Sequence, residues 1–312
     1  MEKHRVFVSQ LISLALFALL PYLALAQSAE QSSSEWKPVE SALGRSGKLQ
    51  PDGAFKFAMP RKDLKVTVAG LTIKPGLALG SWAAFSGSGD NAMIMGDLVL
   101  TEDEVAPVMA KIQEAGLEVT AVHNHVLHES PRVMYMHIAG HGDAAKLAKG
   151  LHDALALTGT PAASAATTTP KVELDTEKID AALGRKGKDN GGIYQFAVQR
   201  SEAIRENGMQ VPASMGVATA LNFQSTGNGR AAITGDFVLI ASEVNPVIKA
   251  LRENGIQVTA LHSHMLGEEP RLYFMHFWAN DDAVKKKRRF RSRWRGFVAT
   301  SSASAPRVSA DL

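Results

Sequence analysis

His123, His125 and His137 lie in AVHNHVLHESPRVMYMHIAGHGD (Ala121 to Asp143), and His262, His264 and His276 lie at matching places in ALHSHMLGEEPRLYFMHFWANDD (Ala260 to Asp282). Each set reads His-x-His, then a Glu (Glu129, Glu268), then Pro-Arg, then a third His. Neutral imidazoles with one carboxylate suit a divalent ion such as zinc, manganese, iron or copper. The chain has no cysteine, so thiolate ligation is excluded. If one coordination position stays open, bound water is activated for hydrolysis, with Glu129 or Glu268 as base. The contrasting reading is a non-catalytic cell-envelope module whose His, Arg and aromatic face grips peptidoglycan or another glycan.

Strand parity makes each set more than a count. Residues two apart on a strand share a face. If the next strand pairs antiparallel with an even index sum, His123, His125, Tyr135 and His137 point together. His262, His264, Phe274 and His276 follow the same parity. Glu129 and Glu268 sit in the turn and fold back over that face. His128, His141 and His152 read as peripheral, because His128 matches Gly267, His141 matches Asn280 and His152 falls in a helix. Arg132 and Arg271 read as partners of nearby Glu. Asp97 and Asp236 each follow a Gly and are either turn formers or acidic members of the site. Arg61 and Arg200 read as surface residues, with an anion contact as the alternative.

An internal repeat sets the architecture. VESALGRSGK (Val39 to Lys48) matches IDAALGRKGK (Ile179 to Lys188) at an offset of 140. MGDLVLTEDEVAPVMAKIQEAGLEVTAVHNH matches TGDFVLIASEVNPVIKALRENGIQVTALHSH at 139 throughout. Each copy predicts a short helix, several strands, an amphipathic helix and two more strands. In copy one Thr101 and Glu104 have capping-box spacing, Val105, Val108 and Ile112 form a stripe, and Gly116 is the stop. Pro107 is expected in the first turn. The glycine-rich GSGDN and STGNGR read as hairpin loops. The later half of each copy thus runs β-α-β-β-α, as in a ferredoxin-like unit. The fold class is α+β: two tandem domains, each a mainly antiparallel sheet with helices on one face.

The domain limits follow: a signal peptide at 1–26, a first repeat at 36–157, a linker at 158–177, a second repeat at 178–284 and a basic tail at 285–312. Lys3 and Arg5, the apolar LISLALFALL and the small-residue ALA (Ala24 to Ala26) form the leader, so a periplasmic or secreted protein starting at Gln27 is expected. No span after it is apolar enough for a transmembrane helix. The sequence pI near 9.0 misleads. Residues 285–312 hold nine basic residues and one acidic one, whereas 27–284 carry 23 basic and 29 acidic residues, a net of −6. A nucleic-acid partner would need the positive charge on the folded body. The tail reads as a lipid- or wall-docking segment or as a slipped terminus that leaves copy two without its last helix and less stable. No G-x-S-x-G elbow, H-E-x-x-H helix, P-loop or G-x-G-x-x-G turn is present.

GDLVLTEDEV…LEVTAVHNHVLHESPRVMYMH and its second copy resemble the LppY/LpqO-like family of exported bacterial proteins, over roughly 38–157 and 178–284. The resemblance implies a tandem domain of unknown function, with a loose peptidoglycan-binding label on some members and no activity to carry over. It departs in two places: the lipid-modified Cys of lipoprotein members is missing, and Ser263 stands where the motif usually has Asn. The HNHVLHE spacing also resembles cupin ligands, but the glycines and second half of that signature are absent.

Overall fold

The computed structural model describes residues 35–162 and 170–283. Copy one begins with helix α1 (Lys37–Leu43), which ends because Gly44 takes the left-handed conformation at φ 70°. Strands β1 (Lys48–Leu49) and β2 (Phe55–Pro60) follow. A hook then carries β3 (Thr67–Val68), β4 (Leu71–Thr72) and α2 (Pro75–Ala78). Next come β5 (Gly80–Ser88), β6 (Asn91–Thr101), α3 (Glu102–Glu114), β7 (Glu118–His123), β8 (Glu129–Ser130), β9 (Val133–Gly142) and α4 (Ala144–Leu155).

Copy two repeats the order. It has α5 (Thr176–Leu183), β10 (Lys188–Asn190) and β11 (Ile193–Gln199). Its hook holds β12 (Arg205–Glu206), β13 (Met209–Gln210) and a 3-10 turn at Ala213–Met215. Then come β14 (Ala218–Gly227), β15 (Arg230–Leu239), α6 (Ala241–Glu253), β16 (Gln257–His262) and β17 (Tyr273–Asp282). No helix among the described residues is long and apolar enough to cross a membrane.

Each copy forms a six-stranded antiparallel sheet, in the orders β1-β2-β5-β6-β9-β7 and β10-β11-β14-β15-β17-β16. Strand β9 lies between β6 and β7, and β17 between β15 and β16, which is the split arrangement expected of the β-α-β-β-α half. The expected α+β class with tandem domains is therefore what is found. Both glycine-rich stretches are hairpin loops, between β5 and β6 and between β14 and β15. Glu104 accepts from the Thr101 N–H at 2.8 Å, closing the start of α3. Pro107 lies inside α3 rather than in its first turn, and Pro246 lies likewise inside α6. The HESP segment is no short turn either, since Glu129 and Ser130 pair with Val68 and Thr67.

The helices cover one face of each sheet. In copy one Ile94, Leu98, Met136 and Ile138 point to Val108, Ile112, Leu147 and Leu151. The opposite faces of the two sheets meet each other. Two mixed cores result, one joining Met93 and Met95 to Met215, Val238 and Phe274, the other joining Val99 and Tyr135 to Ile193, Ala232 and Trp278. Each hook reaches across to the other copy. Thr234 donates to the Leu77 carbonyl at 2.8 Å and Gln195 to the Gly76 carbonyl at 3.1 Å. In return Lys56 Nζ donates to the Ser214 carbonyl at 2.7 Å. The repeats form one packed body, so the linker expected at 158–177 joins domains already docked. The segment in which copy two is expected to lack its last helix, the 285–312 tail and the leader all lie outside the described residues.

Arg61 and Arg200 are not surface residues. Arg61 is 1% exposed and holds Asp63, Glu104 and the Val99 carbonyl. Arg200 does the same with Glu202, Glu243 and the Val238 carbonyl. Each ties the end of a core strand to the start of α3 or α6.

Candidate metal centre between the repeats

The inter-repeat face carries the histidines. Strand β7 starts out of the required parity, with Glu118 opposite Ala139 and Val119 opposite Ile138. A bulge at Thr120 then shifts the register, so that Ala121 faces His137 and His123 faces Tyr135. The index sum changes from odd to even, which turns His123 onto the side of His137. Thr259 makes the same bulge in β16, ahead of Ala260 opposite His276. Each bulged Thr is also a cross-repeat tie: Thr120 Oγ1 donates to the His264 carbonyl and Thr259 Oγ1 to the His125 carbonyl, both at 2.6 Å. Asn124 adds a bond to the Thr259 carbonyl at 3.0 Å. Ser263, its counterpart, instead accepts from Arg271.

The two sets therefore form a single cluster. His123 stacks on His262 with ring centres 3.5 Å apart, His125 lies 3.9 Å from His276, and His137 lies 3.9 Å from His264. Tyr135 stacks on His125 at 3.4 Å and Phe274 on His264 at 3.5 Å, so the even-sum partners do share the face. Asp97 stands mid-strand opposite His137, and Asp236 opposite His276, so neither is a turn former.

Four of the rings are oriented through Nδ1. His123 meets the Asn124 carbonyl at 3.0 Å, His262 the Ser263 carbonyl at 3.2 Å, and His264 and His276 the Gly216 and Gly235 carbonyls, each at 3.1 Å. A carbonyl only accepts, so Nδ1 carries the proton and Nε2 keeps its lone pair. Gly216 sits at φ 89°, and a Cβ there would lie 3.0 Å from the Trp82 ring. All six Nε2 atoms are buried without a hydrogen-bond partner, as is one oxygen each of Asp97 and Asp236. His125 Nε2 approaches Asp97 at 3.3 Å and His264 Nε2 approaches Asp236 at 3.1 Å, but neither contact has hydrogen-bond geometry. So many orphaned acceptors in one buried place form a set of donors that could hold a cation.

Burial sets the charge state. Desolvation, and then the neighbouring imidazoles, hold His125 and His137 well below the usual histidine range. Desolvation brings His262 and His264 down to about 3 and lowers His123 and His276 as well. The rings are thus neutral, the form that binds metal. Desolvation pushes Asp97 up to about 6, against the opposing pull of His123 and His264. Burial also draws the half-buried Lys56 down to about 8, opposed by Asp52 and Asp97.

Three sets have ligand atoms that all lie within 4.8 Å of one another: Asp97 with His123, His125 and His137; His123 with His262 and His276; His137 with His262 and His264. Neither sequence-predicted glutamate belongs to a set. Glu129 is held on β8, and Glu268 is buried in its own turn, accepting from Leu272 N at 2.8 Å and Arg271 at 3.1 Å. The carboxylates that stand with the rings are Asp97 and Asp236. Their signal was readable, since the β6–β9 register pairs Asp97 with His137 at an even index sum. His128, His141 and His152 stand outside every set.

No curated protein matches the chain. Among solved structures, a trimeric bacterial microcompartment shell protein, PduB, aligns over 83% of this chain and 93% of its own at 13% identity, with a TM-score of 0.20 that carries no argument. The model of the family described as Domain of Unknown Function (DUF1259) matches residues 37–157 and again 177–294. By that double match over most of its length, the chain belongs to this domain family of unknown function, as two tandem copies.

Proposed function

We propose that this is an exported metal-binding protein that holds one divalent ion in a centre shared by its two repeats. The observation that carries the reading is the convergence of six buried, unpartnered Nε2 atoms with Asp97 and Asp236. Nitrogen and oxygen donors without sulfur suit zinc, manganese, iron or copper. Any two of the three ligand sets share a histidine: His123, His137 or His262. One lone pair serves one ion, so two sets cannot be filled together. The two repeats then hold one ion between them rather than one each. The set with Asp97 offers four ligands and is the strongest. Its atoms close up on binding, because ligands about 2.0–2.1 Å from a tetrahedral ion stand roughly 3.4 Å apart. Burial of the histidine face argues against an open glycan-gripping surface. Export rests on the leader at 1–26 and is tested by locating the processed protein.

Elemental analysis of the mature protein, with thermal unfolding before and after chelation, tests the centre. The expected result is about one ion per chain and a melting point that falls when it is removed. No metal, with no shift on adding zinc, manganese, iron or copper, overturns the reading. Two tightly held ions per chain would overturn the shared centre and restore one site per repeat.

A further inference from the structure

The two halves of the interface are not equivalent. A cleft of about 790 Å³ opens between the repeats onto Asp97, His125, Asp236, His264 and His276. Its walls carry Lys48, Lys56, Lys186 and Lys188, with Asp189 as the one acidic residue beyond the histidine cluster. Lys56 is the innermost in character: half-buried, its ammonium 4.1 Å over the Trp82 ring and 2.7 Å from the Ser214 carbonyl. That carbonyl uses one of three N–H donors. By the repeat offset Lys56 corresponds to Gln195, and by their places opposite Asp97 and Asp236 Trp82 corresponds to Ala220. Gln195 makes the equivalent bond to the Gly76 carbonyl, also donates to Asn222 Oδ1 and accepts from Asn190. An uncharged amide therefore suffices for the docking bond. The charge at Lys56 is extra to that docking bond and faces the Trp82 ring.

The sum of charges at the cleft floor gives that extra charge a partner. A divalent ion offsets Asp97 and Asp236, and the carboxylate left beside Lys56, Asp52, is already engaged by the Ser214 N–H and hydroxyl. We propose that the cleft admits a small multivalent oxyanion, one oxygen reaching the metal and the far side meeting Lys56, with the rim lysines attracting it from solvent. This rests on the metal reading above. Lys56 is then an anion-binding residue on one side of an asymmetric site, the other side having Gln195 in its place.

Inorganic phosphate is the probe, titrated calorimetrically into the metal-loaded mature protein. The test variant is Lys56→Gln, which installs the residue copy two already uses and keeps a donor for the Ser214 carbonyl. Lys56→Arg restores the charge. Metal content is measured on each protein, so failure of the metal reading shows itself separately, as an empty wild-type centre. The expected result is phosphate binding by wild type, a loss of about tenfold or more in Lys56→Gln at unchanged metal content, and substantial recovery in Lys56→Arg. Loaded wild-type protein that takes up no phosphate overturns the proposal. So does Lys56→Gln binding as wild type does, or a loss confined to variants of the exposed Lys186 and Lys188.

Discussion

Acid should loosen the metal-free protein, and the size of the effect can be worked from two of the rings. His262 and His264 each titrate near 3 in the folded chain against an ordinary 6.5. The unfolded chain therefore takes up these protons first. Their contribution to stability is full above about pH 6.5 and drains away as pH falls toward 3. At about pH 5 the unfolded state has gained roughly 1.5 pKa units on each ring, or about 2 kcal/mol apiece. Asp97 works the other way, since its pKa is raised to about 6 and its ionised form is unfavourable in the fold. Acidifying from about pH 7.5 to 5 relieves roughly 1.5 kcal/mol of that strain. The net loss is then about 2.5 kcal/mol, and His123, His125, His137 and His276 add to it in the same direction. That is a large share of a stability of about 5–15 kcal/mol. Urea unfolding of chelated protein at the two pH values measures it, with a midpoint drop of about 1 M expected for a slope near 2–3 kcal/mol per M. A midpoint that holds or rises on acidification refutes the argument that these rings are buried and neutral. A His262→Gln, His264→Gln double variant should flatten the dependence.

Other substitutions separate the parts. His125→Ala and His137→Ala should each abolish stoichiometric metal, whereas His128→Ala and His141→Ala should leave it unchanged by elemental analysis. Thr120→Val removes the donor to the His264 carbonyl and should cost about 1–3 kcal/mol in urea unfolding, because that carbonyl loses its partner inside the interface. Arg61→Met strands Asp63 and Glu104 beside a buried gap and should cost about 3–5 kcal/mol by the same measurement. Gly216→Ala forces a side chain into the left-handed region against Trp82 and should weaken metal binding, read by competition with a chromophoric chelator.

The repeat, the order of elements and the shared face of His123 and His137 were legible in the sequence, because they depend on offsets and parity alone. The bulge at Thr120 was not. The even index sum that the shared face requires does not hold throughout: the pairing begins odd at Glu118 and turns even only past Thr120. Nor was the docking of the two sheets legible, since two copies with identical faces carry no mark of which surface meets which. One trace was present: Ala92 to Leu100 is apolar at nearly every position, as in a strand covered on both faces. Asp97 inside that run was the residue out of place. Glu129 and Glu268 lie near the histidines in sequence, but pairing with β3 holds Glu129 and bonds within its own turn hold Glu268, away from every ligand set.

The reciprocal hydrogen bonds from Thr120 and Thr259 have a consequence for ancestry. Each copy presents the same patch to the other, and residue i of one meets residue j of the other in both directions. That is the geometry of an isologous dimer, with its two-fold axis running through the stacked His123 and His262 rings. A chain bearing a single copy of this domain would own only half the cluster and should assemble as a two-fold pair to complete it. Fusion makes the pairing independent of concentration. It also frees the halves from strict identity, so that Lys56 and Gln195 could part ways at positions that symmetry would otherwise have kept the same.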